Sequence, residues 1–414
     1  PDLEAAEFLS RREPVPPVLP LAGHLEYVRK EGKPLTLGLL RGSVPGSTEG
    51  WIQAQDELGR YFEAVRSTPG LLESVAPPGR RIAWSATLST PPEIQRLIGH
   101  YLESARKMGE ATAAVHKAFG SADGDPDLAP EPFTSPRQRS IYQTLRKKAT
   151  RAILLLRRTL KALSPDTTGD SKRFLALEAR LLQAFQSILK KRLASVRIRC
   201  HGDLTLSRFL STGSDFVITD WGGPVTGPFL DRRLKRSPLW DVASMLNSFR
   251  CAANTALTRQ ISSGEVAPDR WPTLLAGAAG WYAGVSAGYA DAYRKAVEDA
   301  RFGLGDAEEW DLLLRIELLE KILDEMAAAS GAPGAGAPLL LKELSDLLDA
   351  LESPSSAAPE AVPPQAAWPE AAEWMRYLQG PDRSPGAIPA APPPAATAPP
   401  QSEPPFASPV PPTA

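Results

Sequence analysis

Between Trp51 and Ala329, apolar residues recur at three- and four-residue intervals in seven long segments, and a single β-type patch interrupts them near residue 200. The predicted helices are 51–66, 92–119, 135–163, 172–195, 238–260, 269–299 and 307–329. The patch consists of Val196–Arg199, Phe209–Leu210 and Phe216–Thr219, read here as one small sheet. A chain so patterned is confined to a large helical body built around a few short strands, whose loops are then presented at one place.

The two ends differ from this body. Residues 1–45 contain a short helix (Leu3–Arg11) and two β-type runs, Gly23–Arg29 and Leu35–Leu40, joined by the turn Lys30-Glu31-Gly32-Lys33 as a hairpin requires. A hinge near Arg41–Pro45 follows. After Glu352, 18 of the 42 prolines crowd into the last 62 residues among Ala and Ser. Such a segment cannot bury enough apolar surface to offset its ordering entropy and is expected to be disordered or extended. The expected organisation is therefore α+β in three parts: residues 1–45 with a helix, hairpin and hinge, residues 46–350 as the helical body, and a tail or linker over 351–414.

Charge narrows the partners. With 47 basic and 48 acidic residues the net charge is −1, which gives no reason to expect nucleic acid or an anionic membrane surface. Two cysteines, Cys200 and Cys251, are too few for a disulfide framework and suit a reducing compartment. No run has the apolar length of a membrane span and no signal peptide is visible, so a cytoplasmic protein is expected.

The patch near residue 200 carries the chemistry. His201-Gly202-Asp203 lies in a loop after a strand-like run, and Asp220 ends another strand seventeen residues later. Phosphoryl transfer needs such a pair: one carboxylate accepts the proton of an acceptor hydroxyl, and another holds the Mg²⁺ that neutralises nucleotide phosphates. Asp203 is the candidate base, with His201 orienting its loop, and Asp220 the candidate metal ligand. Asp241, near the start of the helix Leu239–Phe249, reads either as a helix cap or as a tie to the catalytic-loop backbone. His116 reads as a packing residue. The basic cluster Arg232-Arg233-Lys235-Arg236 reads equally as a phosphate contact or as a solvated loop. Arg41 and Gly42 sit at the hinge, whose backbone groups are candidates for nucleotide contact. There is no GxxxxGK[ST] loop, zinc-ligand spacing or GxSxG elbow.

Longer phrases add a family resemblance. PDLEAAEFL, the Val18-Leu19-Pro20-Leu21-Ala22-Gly23 run, APEPFT (129–134), RSIYQTLR (139–146), RIRCHGD and RRLKRSPLWDVASMLNSF together resemble bacterial maltokinase, especially the portion found fused to trehalose synthase. The resemblance runs from Pro1 to about Leu348. It implies a two-lobed fold like protein kinases and aminoglycoside phosphotransferases, with a small β N-lobe truncated here and a large helical C-lobe. It implies transfer of the γ-phosphoryl group of ATP to maltose, giving maltose 1-phosphate, with ATP and Mg²⁺ as cofactors and a trehalose synthase domain as a fused or associated partner. It also implies that the strands bearing an ATP-contacting Lys precede Pro1. Asp203 matches the family's base and Asp220 its metal-binding Asp. Three positions depart from the pattern. Arg208 stands where the family has Gln as a second metal ligand, Thr205 replaces a His, and Gly222 replaces a Glu. Arginine has no acceptor atom and stays protonated, so Arg208 cannot ligate Mg²⁺, although it can bind phosphate oxygens.

Overall fold

The computed structural model describes residues 1–28, 30, 34–67, 92–163, 170–223, 232–329, 344, 345, 347 and 348. The expected tail over 351–414 and most of the turn after Arg29 lie outside the described residues.

Nine helices and seven short strands are present among these residues, and the helices fall close to the periodic segments. Helix α2 (Gly50–Ser67) shows why. It buries Ala54, Leu58, Tyr61, Phe62 and Val65, the apolar stripe of a 3.6-residue repeat, and leaves Arg60 and Glu63 on the opposite side. Helix α7 (Leu239–Ser262) buries residues around most of its circumference, from Leu239 and Val242 to Phe249 and Ala256. It packs against α2, α8 (Trp271–Ala296) and α9 (Ala307–Ala329), so it is the central helix. Helix α8 carries Pro272 in its first turn, where the missing N–H costs nothing.

Helices α4 (Tyr101–Gly120) and α8 pack tightly on each other. A Cβ at Gly109 would lie 2.4 Å from the Tyr289 carbonyl oxygen, so only glycine allows this approach. Around the crossing, Tyr101 stacks on Trp281 at 5.5 Å, and Phe249 meets Trp281 and Tyr289 edge-on. The segment predicted as one helix over 92–119 is two, α3 (Pro92–Ile98) and α4. Gly99 takes φ 60° between them, a conformation that ends a helix. The segment over 172–195 likewise stops early. Helix α6 (Asp170–Gln186) passes into a 3₁₀ turn at Ser187–Leu189, while α5 (Ser135–Leu163) matches its periodic segment.

The strands correct one expectation. Val196–Arg197 (β5) does not pair with the other two runs of the patch. It pairs antiparallel with Glu131–Pro132 (β4). Phe209–Ser211 (β6) and Phe216–Ile218 (β7) form a hairpin, and Thr48–Glu49 (β3) adds to its β6 edge. The loop after β5 is instead tied to the chain ahead of α7, where Ile198 and Arg236 exchange backbone hydrogen bonds of 2.9 Å. At the N-terminal end, α1 (Asp2–Ser10) precedes an antiparallel ribbon of β1 (Leu21–Tyr27) and β2 (Leu35–Arg41). Leu25, Tyr27, Leu37 and Leu40 of this ribbon are exposed. Among the described residues no helix is long and apolar enough to cross a membrane.

Candidate active site

The β6–β7 hairpin sets the geometry. Its register pairs Phe209 with Ile218, so Arg208, just before β6, comes opposite Thr219 and Asp220, just after β7. Both the N–H and the hydroxyl of Thr219 donate to the Arg208 carbonyl, at 2.9 and 3.3 Å. Asp220 is the only non-glycine residue with positive φ among those described, at 61°. Such a conformation costs on the order of 1 kcal/mol even for Asp and persists where neighbours hold it.

His201 joins the two aspartate loops. Its Nδ1 accepts the Asp203 N–H at 3.3 Å, so Nε2 carries the proton and donates to the Thr219 carbonyl at 2.9 Å. The ring packs on Trp221 at 4.8 Å between centroids. Burial pushes the His201 pKa below its ordinary 6.5, against the raising influence of Asp241. A neutral imidazole with both nitrogens engaged orients the loops and has no free lone pair for proton transfer. One consequence is testable. Below about pH 6.5 the unfolded chain takes up a proton that native His201 refuses, so the His201 contribution to stability falls on acidification. Urea midpoints at pH 7.5 and 5.5 are expected to fall more steeply in the wild-type protein than in His201→Gln. The comparison isolates His201, because Glu317, whose carboxyl burial pushes up to about 8, titrates in both proteins.

Asp241 anchors the loop from below. It is fully buried, accepts the His201 N–H at 2.7 Å and the Gly202 N–H at 2.9 Å, and pairs with His116 Nε2 at 3.1 Å. His116 in turn contacts the Tyr293 hydroxyl at 2.8 Å. Burial alone would raise the Asp241 pKa, yet the hydrogen bond from His116 and the charge and N–H donors around it bring it below the ordinary value. Its side chain caps no helix, so of the two expected roles the tie to the loop holds. His116, read as packing, is a polar partner in this network. The Trp240 indole adds a hydrogen bond to the Gly202 carbonyl at 2.9 Å. His116, Cys200 and Asp241 lie close enough together to suggest a metal site. Both carboxylate oxygens of Asp241 are already used, however, and burial holds the Cys200 thiol well above its ordinary pKa.

Asp203 and Asp220 do meet, through Arg208. One guanidinium nitrogen donates to Asp203 Oδ2 at 2.7 Å and the other to Asp220 Oδ2. Burial disfavours the Arg208 charge, but the hydrogen bond to Asp203 and the field of Asp220, Asp203 and Glu49 outweigh it and raise its pKa. The three side chains are about one-quarter, one-third and one-half exposed for Arg208, Asp203 and Asp220. The structure thus places a monovalent cation between the two carboxylates expected to serve base and metal. Gly222 lies beside them, where, among the described residues, an added Cβ would meet only Asp220 Oδ1, at an ordinary 3.6 Å.

The hinge residues are engaged elsewhere. Arg41 pairs with Asp2, and the Gly42 N–H donates to the Pro20 carbonyl at 2.9 Å. The basic cluster divides. Lys235 is buried on Glu131, Arg236 stacks on Trp240 at 4.1 Å, and exposed Arg233 faces Glu4 at 3.4 Å.

No family model matches the chain. Among solved structures, a glucosamine kinase in its crystal form B superposes with a TM-score of 0.60 at 18% identity, over 84% of this chain and 69% of that one. A complex of glucosamine kinase with glucosamine, ADP and inorganic phosphate gives 0.58 at 18% identity, over 84% and 70%. Crystal form A gives 0.58 at 19% identity, over 86% and 67%. The chain therefore shares the α+β fold of these structures.

Proposed function

We propose that the chain is a maltokinase-type phosphotransferase domain that transfers the terminal phosphoryl group of ATP to a hydroxyl of maltose. The observation that carries this reading is the convergence of Asp220 on Asp203, whose loop backbone is locked by Asp241. Phosphoryl transfer asks little of a protein beyond such positioning and charge. In this reading Asp203 accepts the proton of the sugar hydroxyl as its oxygen bonds to the γ-phosphorus and the bond to ADP breaks. Residues 1–45 belong to a small β lobe, residues 46–350 form the helical lobe, 351–414 are a linker or tail, and the setting is the cytoplasm of a trehalose and α-glucan pathway. With ATP, Mg²⁺ and maltose, the intact polypeptide is expected to form maltose 1-phosphate. Asp203→Asn, which keeps the shape and loses the base, is expected to reduce the rate at least about a hundredfold.

The residues as arranged do not fit Mg²⁺. Arg208 fills the space between the two carboxylates and offers no lone pair. Opening its ion pairs would cost only about 1–2 kcal/mol at this exposure. The larger obstacle is the displaced guanidinium, which stays tethered nearby. Unit and double positive charges ~5 Å apart repel by about 2 kcal/mol in water and about 7 at an effective dielectric constant of 20. No step is therefore routed through the metal. Released from Asp203, the Arg208 fork would instead face phosphate oxygens, for which its geometry is suited.

The same observation favours a second reading, a pseudokinase module that binds sugar and organises a fused trehalose synthase without transferring phosphate. Absence of product together with retained maltose binding by calorimetry would select it.

A further inference from the structure

A cavity of about 220 Å³ opens beside β5, lined by Glu4, Glu131, Arg197, Arg199, Arg233 and Lys235 among others. Arg197 and Arg199 are two residues apart in an extended run, so their side chains share one side while Ile198 points into the core. The cavity wall is unevenly charged. Glu131 serves both Arg197, at 2.6 Å, and Lys235, at 2.9 Å, and holds its own pKa low through them. Glu4 faces Arg233 at 3.4 Å, and exposed Asp127 also borders the opening. Arg199 is left over. It is 3% exposed, among the described residues no hydrogen bond or ion pair engages its guanidinium, and its nitrogens are not among the fully enclosed ones left without a partner, so they keep some access to solvent.

A largely buried guanidinium that no described residue pairs is costly, and a cavity with room for several waters lies against it. Burial pushes the Arg199 pKa down, with Glu4 the main opposing influence, so the group is electrostatically underserved as it stands. We infer that this cavity is an anion subsite, distinct from the Asp203–Asp220 loop, that takes a phosphomonoester group with Arg199 as its principal donor. Arg199 presents a planar fork to the oxygens, and Arg197, Lys235 and Arg233 supply the surrounding positive field. Glu4 and Asp127 are placed to accept hydroxyls of an attached sugar.

The test is thermal stability and calorimetric binding of the intact protein with inorganic phosphate and with glucose 1-phosphate, against chloride at matched ionic strength. Both phosphates are expected to bind and to raise the melting temperature saturably. Tighter binding of glucose 1-phosphate would identify a sugar phosphate as the occupant, and equal binding the phosphate group alone. Arg199→Met is expected to weaken binding by about tenfold or more. It should melt no lower than wild type without phosphate, since it removes a largely buried charge that no described residue pairs. Arg199→Lys should recover part of the affinity, and Arg233→Ala, at an exposed position, should weaken binding in a protein whose folding is not at issue. Stabilisation no greater than with chloride, or equal binding by wild type and Arg199→Met, would overturn the assignment.

Discussion

The double change Arg208→Gln with Gly222→Glu is expected to raise Mg²⁺-dependent transfer from ATP to maltose by at least about tenfold to a hundredfold. The reasoning rests on charge. In the native chain the positive charge between Asp203 and Asp220 is fixed and monovalent, and it holds both carboxylates at once. Glutamine at 208 removes the repulsion toward a divalent ion and contributes a carbonyl lone pair. Glutamate at 222 adds a carboxylate where the backbone does not demand glycine and where, among the described residues, a Cβ meets only Asp220 Oδ1, at 3.6 Å. Electrostatic stabilisation of transferring phosphoryl groups commonly contributes several kcal/mol, so restoring two ligands has room to produce this gain. Initial rates of maltose 1-phosphate formation across a Mg²⁺ titration check the prediction. A double variant no more active than wild type, or less active, would show that Arg208 and Gly222 serve the reaction rather than hinder it.

Asp241→Ala is expected to be the most destabilising single substitution at this site, by about 3–5 kcal/mol, the range for breaking a buried charged pair. Three donors depend on this carboxylate, the backbone N–H groups of His201 and Gly202 and His116 Nε2, all within 3.1 Å. Removing it leaves them buried and unpaired. Asp241→Asn should be little better, because its amide must turn an N–H toward a donor. The low Asp241 pKa fixes a sign as well. Its contribution is complete above the ordinary value of 3.8 and is lost as pH falls through the lower native value. Urea unfolding at neutral pH measures the loss. A double-mutant cycle with His116→Ala is expected to show strong coupling, with the second change costing far less than the first. Additive effects would mean that the His116–Asp241 contact carries no energy of its own.

How much of this was legible in the sequence follows from what each feature depends on. Helix α5 could be read to its ends because its period is local, and α2 for the same reason. Gly99 broke the expected 92–119 helix because one residue in a left-handed conformation outweighs periodicity on both sides. The partner of β5 was missed because Glu131–Pro132 is two residues long and lies in a proline-containing loop with no alternation to reveal it. The candidate site was legible as a list: Asp203, Asp220, His201 and Arg208 all lie in one stretch. Its arrangement was not, because the bridging by Arg208 depends on the β6–β7 register. His116 looked like a packing residue because its partner is 125 positions away. Arg199 gave no signal at all, since only burial distinguishes it from any other arginine. Arg41 and Gly42 stand at the expected hinge, but the tie of Arg41 to Asp2 depends on how α1 packs, and that of Gly42 to Pro20 continues the β1–β2 pairing.

The central claim is that Arg208 stands where a divalent cation would be held. Titration of Mn²⁺, followed by the electron paramagnetic resonance of the free ion, addresses it directly in wild type and in Arg208→Gln. The account predicts negligible Mn²⁺ uptake by the wild-type protein at millimolar metal, uptake of at least one ion by Arg208→Gln, and loss of that gain when Asp220→Asn is added, Asn being a residue that accepts the same backbone conformation. Stoichiometric Mn²⁺ binding by the wild-type protein, unchanged by Arg208→Gln and abolished by Asp220→Asn, would contradict it.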